Sequence, residues 1–226
     1  MTPLLFIPSA AGAATPSFLS NLGVTVVLAA IPVILVAGTA FLKISIVLAL
    51  VRSAVGAQDV PPTLVITALA AVLTAFVMTP VAEEAAASIE TAAADTGGEV
   101  DPLGFHQAKR LLDAATPAFA RFLKANTSAT EIAFYQDLAG EGADENGLRI
   151  LLPAFATTEL VEAFMMGFLI FLPFLVVDLI VSTTLVSLGF NALSPTAVSL
   201  PLKLLLLTAV DGWHMILNGL LMGYGT

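Results

Sequence analysis

The chain has 226 residues, of which 58% are hydrophobic and only 11% charged, against about a quarter charged in ordinary soluble domains; its mean hydropathy is +0.98. Such a composition belongs to a membrane protein, and the length suffices for roughly four spanning helices of about 20 residues plus one modest soluble segment. The absence of cysteine excludes disulfides, thiol chemistry and thiolate metal sites, and a formal net charge of −9 argues against nucleic acid, whose phosphates demand clustered Lys and Arg.

Residues 1–20 form an apolar, small-residue-rich N-terminal segment. Ala11-Gly12-Ala13-Ala14 faintly matches a signal-peptidase site, but the basic n-region of a secretory signal is missing, which leaves cleavage open. The first charge comes at Lys43. An apolar block from Leu22 to Val51, holding Pro32 and Lys43, is long for one span and predicts a tilted or kinked helix. Arg52 ends it and Gly56 opens a short loop. Pro61 and Pro62 fit a first helical turn, and a second helix follows from Thr63 to about Val81, ending near Glu83 and Glu84. Residues 21–82 thus read as a first helical hairpin.

Residues 83–150 hold most of the acidic groups, with breakers at Asp95 to Gly98 and Gly140 to Gly142. Phe105, Ala108, Leu111, Leu112 and Ala115 fall at helical spacing. Thr116-Pro117 reads as an N-cap followed by proline at the first helical position. Ser128 and Glu131 form a capping-box pattern ahead of Ile132 to Leu138. This stretch is expected to be a small soluble helical insertion. The positive-inside rule places the Arg52 loop in the cytoplasm and the acidic stretch on the opposite side.

Residues 151–226 read as a second helical hairpin. Its apolar run begins at Pro153, with Thr158 as N-cap and Glu159 in the first turn near the positive helix end. Ala163 to Leu188 contains Pro173 and Asp178, Gly189 to Pro195 is a turn, and Thr196 to Tyr224 is a last helix carrying Lys203, Asp211 and Trp213. The halves share a loose pattern, with Lys43 and Asp178 at similar depth in the two hairpins, and repeated hairpins are common in transport proteins.

Six charges sit in apolar surroundings: Lys43, Glu159, Glu162, Asp178, Lys203 and Asp211. Each costs a few kcal/mol or more unless paired or hydrated. Glu159 and Glu162 share one helix face and need a cation, a proton or water; Lys43 and Lys203 are the available cations. The simplest reading is structural pairing between helices or subunits, with a water-lined passage or a proton relay as the other two. Nothing points to an enzyme, a cofactor or a metal. Neither Asp178 nor Asp211 lies in the Gly-x-Gly-Asp context of intramembrane aspartyl proteases, His106 and His214 stand apart, and no His-Glu-x-x-His, Gly-x-Ser-x-Gly or P-loop occurs. Met165, Met166 and Met215 read as adaptable packing residues, and Gly167 as a point of close helix approach.

Several stretches, in order, carry a resemblance. They are Phe41 to Gly56, Asp59-Val60-Pro61-Pro62, Arg149 to Phe155, Thr158-Glu159-Leu160, Gly167 to Asp178, Ser199 to Leu204 and Val210-Asp211-Gly212-Trp213. Together they resemble the FliP/SctR family of type III secretion export-apparatus subunits, named FliP in flagella and SctR in injectisomes. The resemblance implies an all-α, membrane-type fold of long kinked helical hairpins with a periplasmic-side insertion, assembling into a helical pore complex. Five copies would join FliQ/SctS-type and FliR/SctT-type subunits, next to FlhB/SctU-type and FlhA/SctV-type proteins. The gate would lie in the bacterial inner membrane as a multi-pass assembly projecting toward the periplasm, and unfolded substrates would pass along its axis. An injectisome is favoured over a flagellum. Family members often carry methionines after the Leu-Gly that ends the third long helix. Here Leu188-Gly189 precedes Phe190, Asn191, Ala192 and Leu193, which the resemblance places at the pore constriction as an apolar seal. The alternative is a stand-alone secondary transporter with a midplane site around Glu162, Asp178, Lys203 and Asp211.

Overall fold

Gly38 and Thr39 interrupt the long apolar block. A Cβ on Gly38 would lie 2.6 Å from Phe119 Cζ and 3.0 Å from Leu152 Cδ2. The Thr39 hydroxyl accepts from the Phe41 N–H at 3.3 Å, and helix α1 then runs Phe41–Val55. Within the described part of the block over which a tilted or kinked helix is expected, Leu22 to Val51, the chain breaks at Gly38 to Ala40. The computed structural model describes residues 36–56, 61–94, 105–140, 146–190 and 192–224, with the single positions 29, 32, 34, 142 and 144. The N-terminal segment 1–20 and the Asp95 to Gly98 breaker lie outside the described residues.

Helix α1 ends on Gly56, at φ 76, whose N–H donates to the Arg52 and Ser53 carbonyls; glycine suits this left-handed cap because it has no Cβ to clash. Arg52 Nη1 donates to Thr63 Oγ1 at 2.9 Å, tying the end of α1 to the start of α2, Thr63–Ala94. Glu83 and Glu84 do not end α2 as expected. Pro80 lies inside it, and the alanine- and glutamate-rich stretch beyond has strong intrinsic helix propensity.

Helix α3 spans Phe105–Ala125, with Pro117 inside it. Thr116-Pro117 is thus no helix start, and the Thr116 hydroxyl donates back to the Leu112 carbonyl at 2.8 Å. Helix α4, Ala129–Ala139, does start at Ser128, whose side chain accepts from the Thr130 N–H, and it stops before Gly140 at φ 86. The capping box forms only in part. The Ser128 N–H that Glu131 would satisfy donates instead to Thr158 Oγ1 at 3.2 Å.

Helix α5, Leu148–Ser187, has 40 residues and begins at Gly147, with Pro153 and Pro173 inside. The predicted start at Pro153 and Thr158 is corrected. Thr158 caps α4 in place of its own helix, while its hydroxyl donates to the Ala154 carbonyl at 2.9 Å. At about 60 Å, α5 is twice the thickness of a bilayer's hydrocarbon core, so its first turns can pack on α3 and α4 while the rest remains available to a membrane. Helices α6, Pro195–Ala209, and α7, Gly212–Met222, replace the single last helix expected. They meet at 61°, and Asp211 takes φ 51 between them, a left-handed state that Asp tolerates better than most non-glycine residues.

Helix α1 is the centre of the core. Ile44, Val47, Leu48 and Val51 recur at helical spacing and pack with Ala70 and Val77 of α2, Ala163 and Phe174 of α5, and Leu207 and Leu220 beyond. A smaller core of Leu123, Leu151 and Phe155 joins α3 to α5. Every element among the described residues is helical, as the composition predicts. Of these, α2 and α5 are long and apolar enough to cross a membrane, and α6 with α7 makes a third if the bent pair is one span. Only 17% of the apolar stretch of α2, and the same share in α5, is buried within the chain. The fold is thus of the membrane type, with most of its apolar surface left for lipid or neighbours.

Candidate functional site

Helical spacing in α1 puts Lys43 on the buried face with Ile44 and Val47, opposite the α5 face that bears Glu159 and Glu162. Lys43 is 2% exposed and Glu159 fully buried. Lys43 Nζ lies 3.0 Å from Glu159 Oε1 and 2.7 Å from Glu162 Oε2. One ammonium is therefore shared by both carboxylates, which answers the repulsion that the sequence spacing raised. The Glu162 side chain keeps 50% of its surface exposed.

Tyr224 closes this cluster from the end of the last helix. Its hydroxyl donates to Glu159 Oε2, Lys43 Nζ sits 4.1 Å from its ring centroid, and Phe122 of α3 stacks on it at 6.2 Å. Helices α1, α3, α5 and α7 are thus clamped around one buried ion pair. Sequence reasoning passed over Tyr224 although a signal was present: a tyrosine hydroxyl in an apolar run needs a partner. We expect Tyr224→Phe to lower stability by about 1–2 kcal/mol, because Glu159 loses a donor in a buried place. Thermal unfolding in mild detergent checks this, and an unchanged midpoint would remove Tyr224 from the cluster.

A second latch lies farther along. Lys203 of α6, 5% exposed, donates to Asp178 Oδ2 of α5 at 2.6 Å and to the Ala54 carbonyl at the end of α1 at 3.1 Å. Asp178 keeps 43% of its side chain exposed. Of the six charges expected to be buried, the structure brings five into these two latches, with Lys43, Glu159 and Lys203 buried and Glu162 and Asp178 at the surface. The sixth, Asp211, is exposed at the α6–α7 bend of the single chain, because the bend turns position 211 out of the packed faces. The Phe190 to Leu193 segment joins α5 to α6. Phe190 is 51% and Leu193 52% exposed, Ala192 is exposed as well, and Asn191 lies outside the described residues. No group of three or more His, Asp or Glu among the described residues is arranged to hold a metal ion.

The same six charges and the Phe-Leu-Pro-Phe-Leu stretch of α5 fall within the region matched by one family. The FliP family model matches residues 24–220. This chain belongs to the FliP family of type III secretion proteins. As a FliP-family member it is 36% identical over 215 residues to the hypersensitivity response secretion protein HrcR of Ralstonia nicotianae, covering 92% of this chain and 97% of that one. It is 35% identical over 203 residues to the Yop proteins translocation protein R of Yersinia pestis, covering 86% and 91%. It is 39% identical over 222 residues to the flagellar biosynthetic protein FliP of Cereibacter sphaeroides, covering 94% of this chain and 70% of the relative. These FliP-family relatives are named for secretion, translocation and flagellar biosynthesis, in keeping with a component of a protein-export apparatus.

Proposed function

We propose that this chain is a pore-forming core subunit of a type III export gate in the bacterial inner membrane, conducting unfolded protein, in an injectisome rather than a flagellum. The carrying observation is the bare face of α5. Val161, Phe164, Phe168, Leu175 and Leu179 are all at least half exposed along about 27 Å of helix, while the charges of the same helix are held in the two latches. A monomer in water cannot leave so long an apolar stripe open, and an assembly of subunits in or above a membrane covers it. The secretion and translocation names of two relatives support the injectisome branch.

In this reading five copies join FliQ/SctS-type and FliR/SctT-type subunits, beside FlhB/SctU-type and FlhA/SctV-type proteins, and the assembled gate projects toward the periplasm. The two latches hold each hairpin in the shape that neighbours require, and no cofactor takes part. The turn from Phe190 to Leu193 supplies an apolar ring that excludes small solutes by dewetting. Phenylalanine and leucine make that ring stiffer than the methionines they replace. The stand-alone transporter reading gains nothing from the geometry, since Lys203 is taken by Asp178 and the Ala54 carbonyl and Glu162 by Lys43.

Native mass spectrometry tests the proposal on protein co-expressed with its neighbouring small membrane proteins. A particle with several copies of this chain and unlike subunits is expected. A monomer or symmetric dimer that ignores those proteins would overturn the reading.

A further inference from the structure

Helix α7 is held to the rest of the molecule by one residue per turn. Gly212, Ile216, Leu220 and Tyr224 are buried at every fourth position, so they fall on one narrow stripe. Trp213, His214, Met215, Asn218, Gly219 and Met222 between them are exposed. At the far end of the stripe Tyr224 covers the Lys43–Glu159 pair.

The elbow that carries α7 to this place is strained. Asp211 holds φ 51, a left-handed state that is costly for residues with a Cβ, and its side chain makes no capping bond in return. Among the described residues no backbone hydrogen bond joins the N–H of Gly212, Trp213 or His214 to the carbonyl of Thr208, Ala209 or Val210. The bonds that would continue α6 into α7 are therefore unmade, and lipid offers no substitute for them. Position 212 has little room for anything but glycine, since a Cβ there would lie 2.5 Å from Leu207 Cδ1 and 3.0 Å from the Leu207 carbonyl oxygen.

Straightened, α6 and α7 would form one helix from Pro195 to Met222, about 42 Å long and apolar enough as a pair to cross a membrane. That form regains the missing backbone bonds and relieves Asp211. The bent form instead keeps Ile216 and Leu220 in the core and the Tyr224 hydroxyl on Glu159. We propose that α7 is a strap hinged at Asp211–Gly212. It is closed over the Lys43–Glu159 pair as seen here, and it opens when α6 and α7 join in one straight span, which uncovers that pair. The hinge belongs to this chain alone and does not depend on the export-gate reading.

The test measures spin-label distances in the full chain held in lipid nanodiscs. The sequence has no cysteine, so cysteines placed at Met222 and Ala125 take the labels uniquely. Both positions are exposed, and Ala125 lines the same cleft as Tyr224. Opening the 61° bend swings the end of α7 through about 16 Å, so the open strap gives a second, longer distance. Gly212→Ala is expected to raise the ratio of long to short distance at least about fivefold, the advantage of alanine over glycine inside a helix. Asp211→Gly should lower the ratio, because glycine accepts the left-handed elbow without strain. Tyr224→Phe should raise it without touching the elbow, and it carries the test if Gly212→Ala does not fold. One short distance in wild type and in every folded variant would overturn the hinge. A long distance with the same share in Gly212→Ala and Asp211→Gly would overturn the elbow as its pivot.

Discussion

Lys43→Met is expected to destabilise the chain by about 3–5 kcal/mol, the cost of breaking a buried ion pair by removing one partner. The reason is positional. Glu159 is fully buried and cannot turn to solvent, so removing the ammonium 3.0 Å away leaves an uncompensated charge with only the Tyr224 hydroxyl to stabilise it. Glu162 behaves differently, because its side chain is half exposed and can reach water or a neighbouring subunit. The double variant Lys43→Met with Glu159→Met should therefore recover much of the loss, since apolar residues of similar volume can replace a buried pair at little cost. Unfolding followed by circular dichroism in mild detergent provides the measurement. For a chain of this size the single variant should lower the midpoint by about 10 °C. Equal midpoints for the single and double variants would show that the burial of Glu159 does not govern the effect.

Gly167→Leu should cost about 3 kcal/mol, at the upper end for overpacking a filled core. Gly167 is buried in α5 where that helix crosses α1. A Cβ there would collide with Leu50 Cδ1 and lie 3.2 Å from both Cβ and Cγ of Leu50. The far methyl can rotate away, but the root of the side chain cannot, so the two helices must separate. Separation would also strain the Lys43 latch, which depends on the same α1–α5 contact. Leu50→Ala should rescue part of the loss by returning the volume that Gly167→Leu adds, and the double-mutant cycle reads that coupling directly. A Gly167→Leu protein as stable as the wild type would refute the close approach.

Much of this molecule was legible before its structure. Low charge and long apolar runs announced a membrane-type helical protein, and the Gly56 and Gly140 stops were readable from glycine's tolerance of positive φ. Gly167 was marked as a contact point, and the ordered motifs from Phe41 to Trp213 carried the family. Helix limits are less legible at two prolines that read as helix starts. Pro117 and Pro153 lie inside α3 and α5, because packing and strong helix formers on both sides outweigh one missing N–H. The bend that the structure does show falls at Asp211, where no proline marks it.

From the sequence alone came the list of charges that had to find a partner or water, since an ionisable group in an apolar helix cannot stay both unpaired and dry. Which partners they found was decided only in three dimensions. Lys43 meets Glu162 across 119 residues of chain, Lys203 crosses to Asp178 and the end of α1, and Tyr224 returns to seal Glu159. The 3.6-residue period assigns each side chain to a face of its own helix. It says nothing of how one helix is rotated and shifted against the next, and that rotation and shift are set by the packing of α1 against α2, α5 and α6.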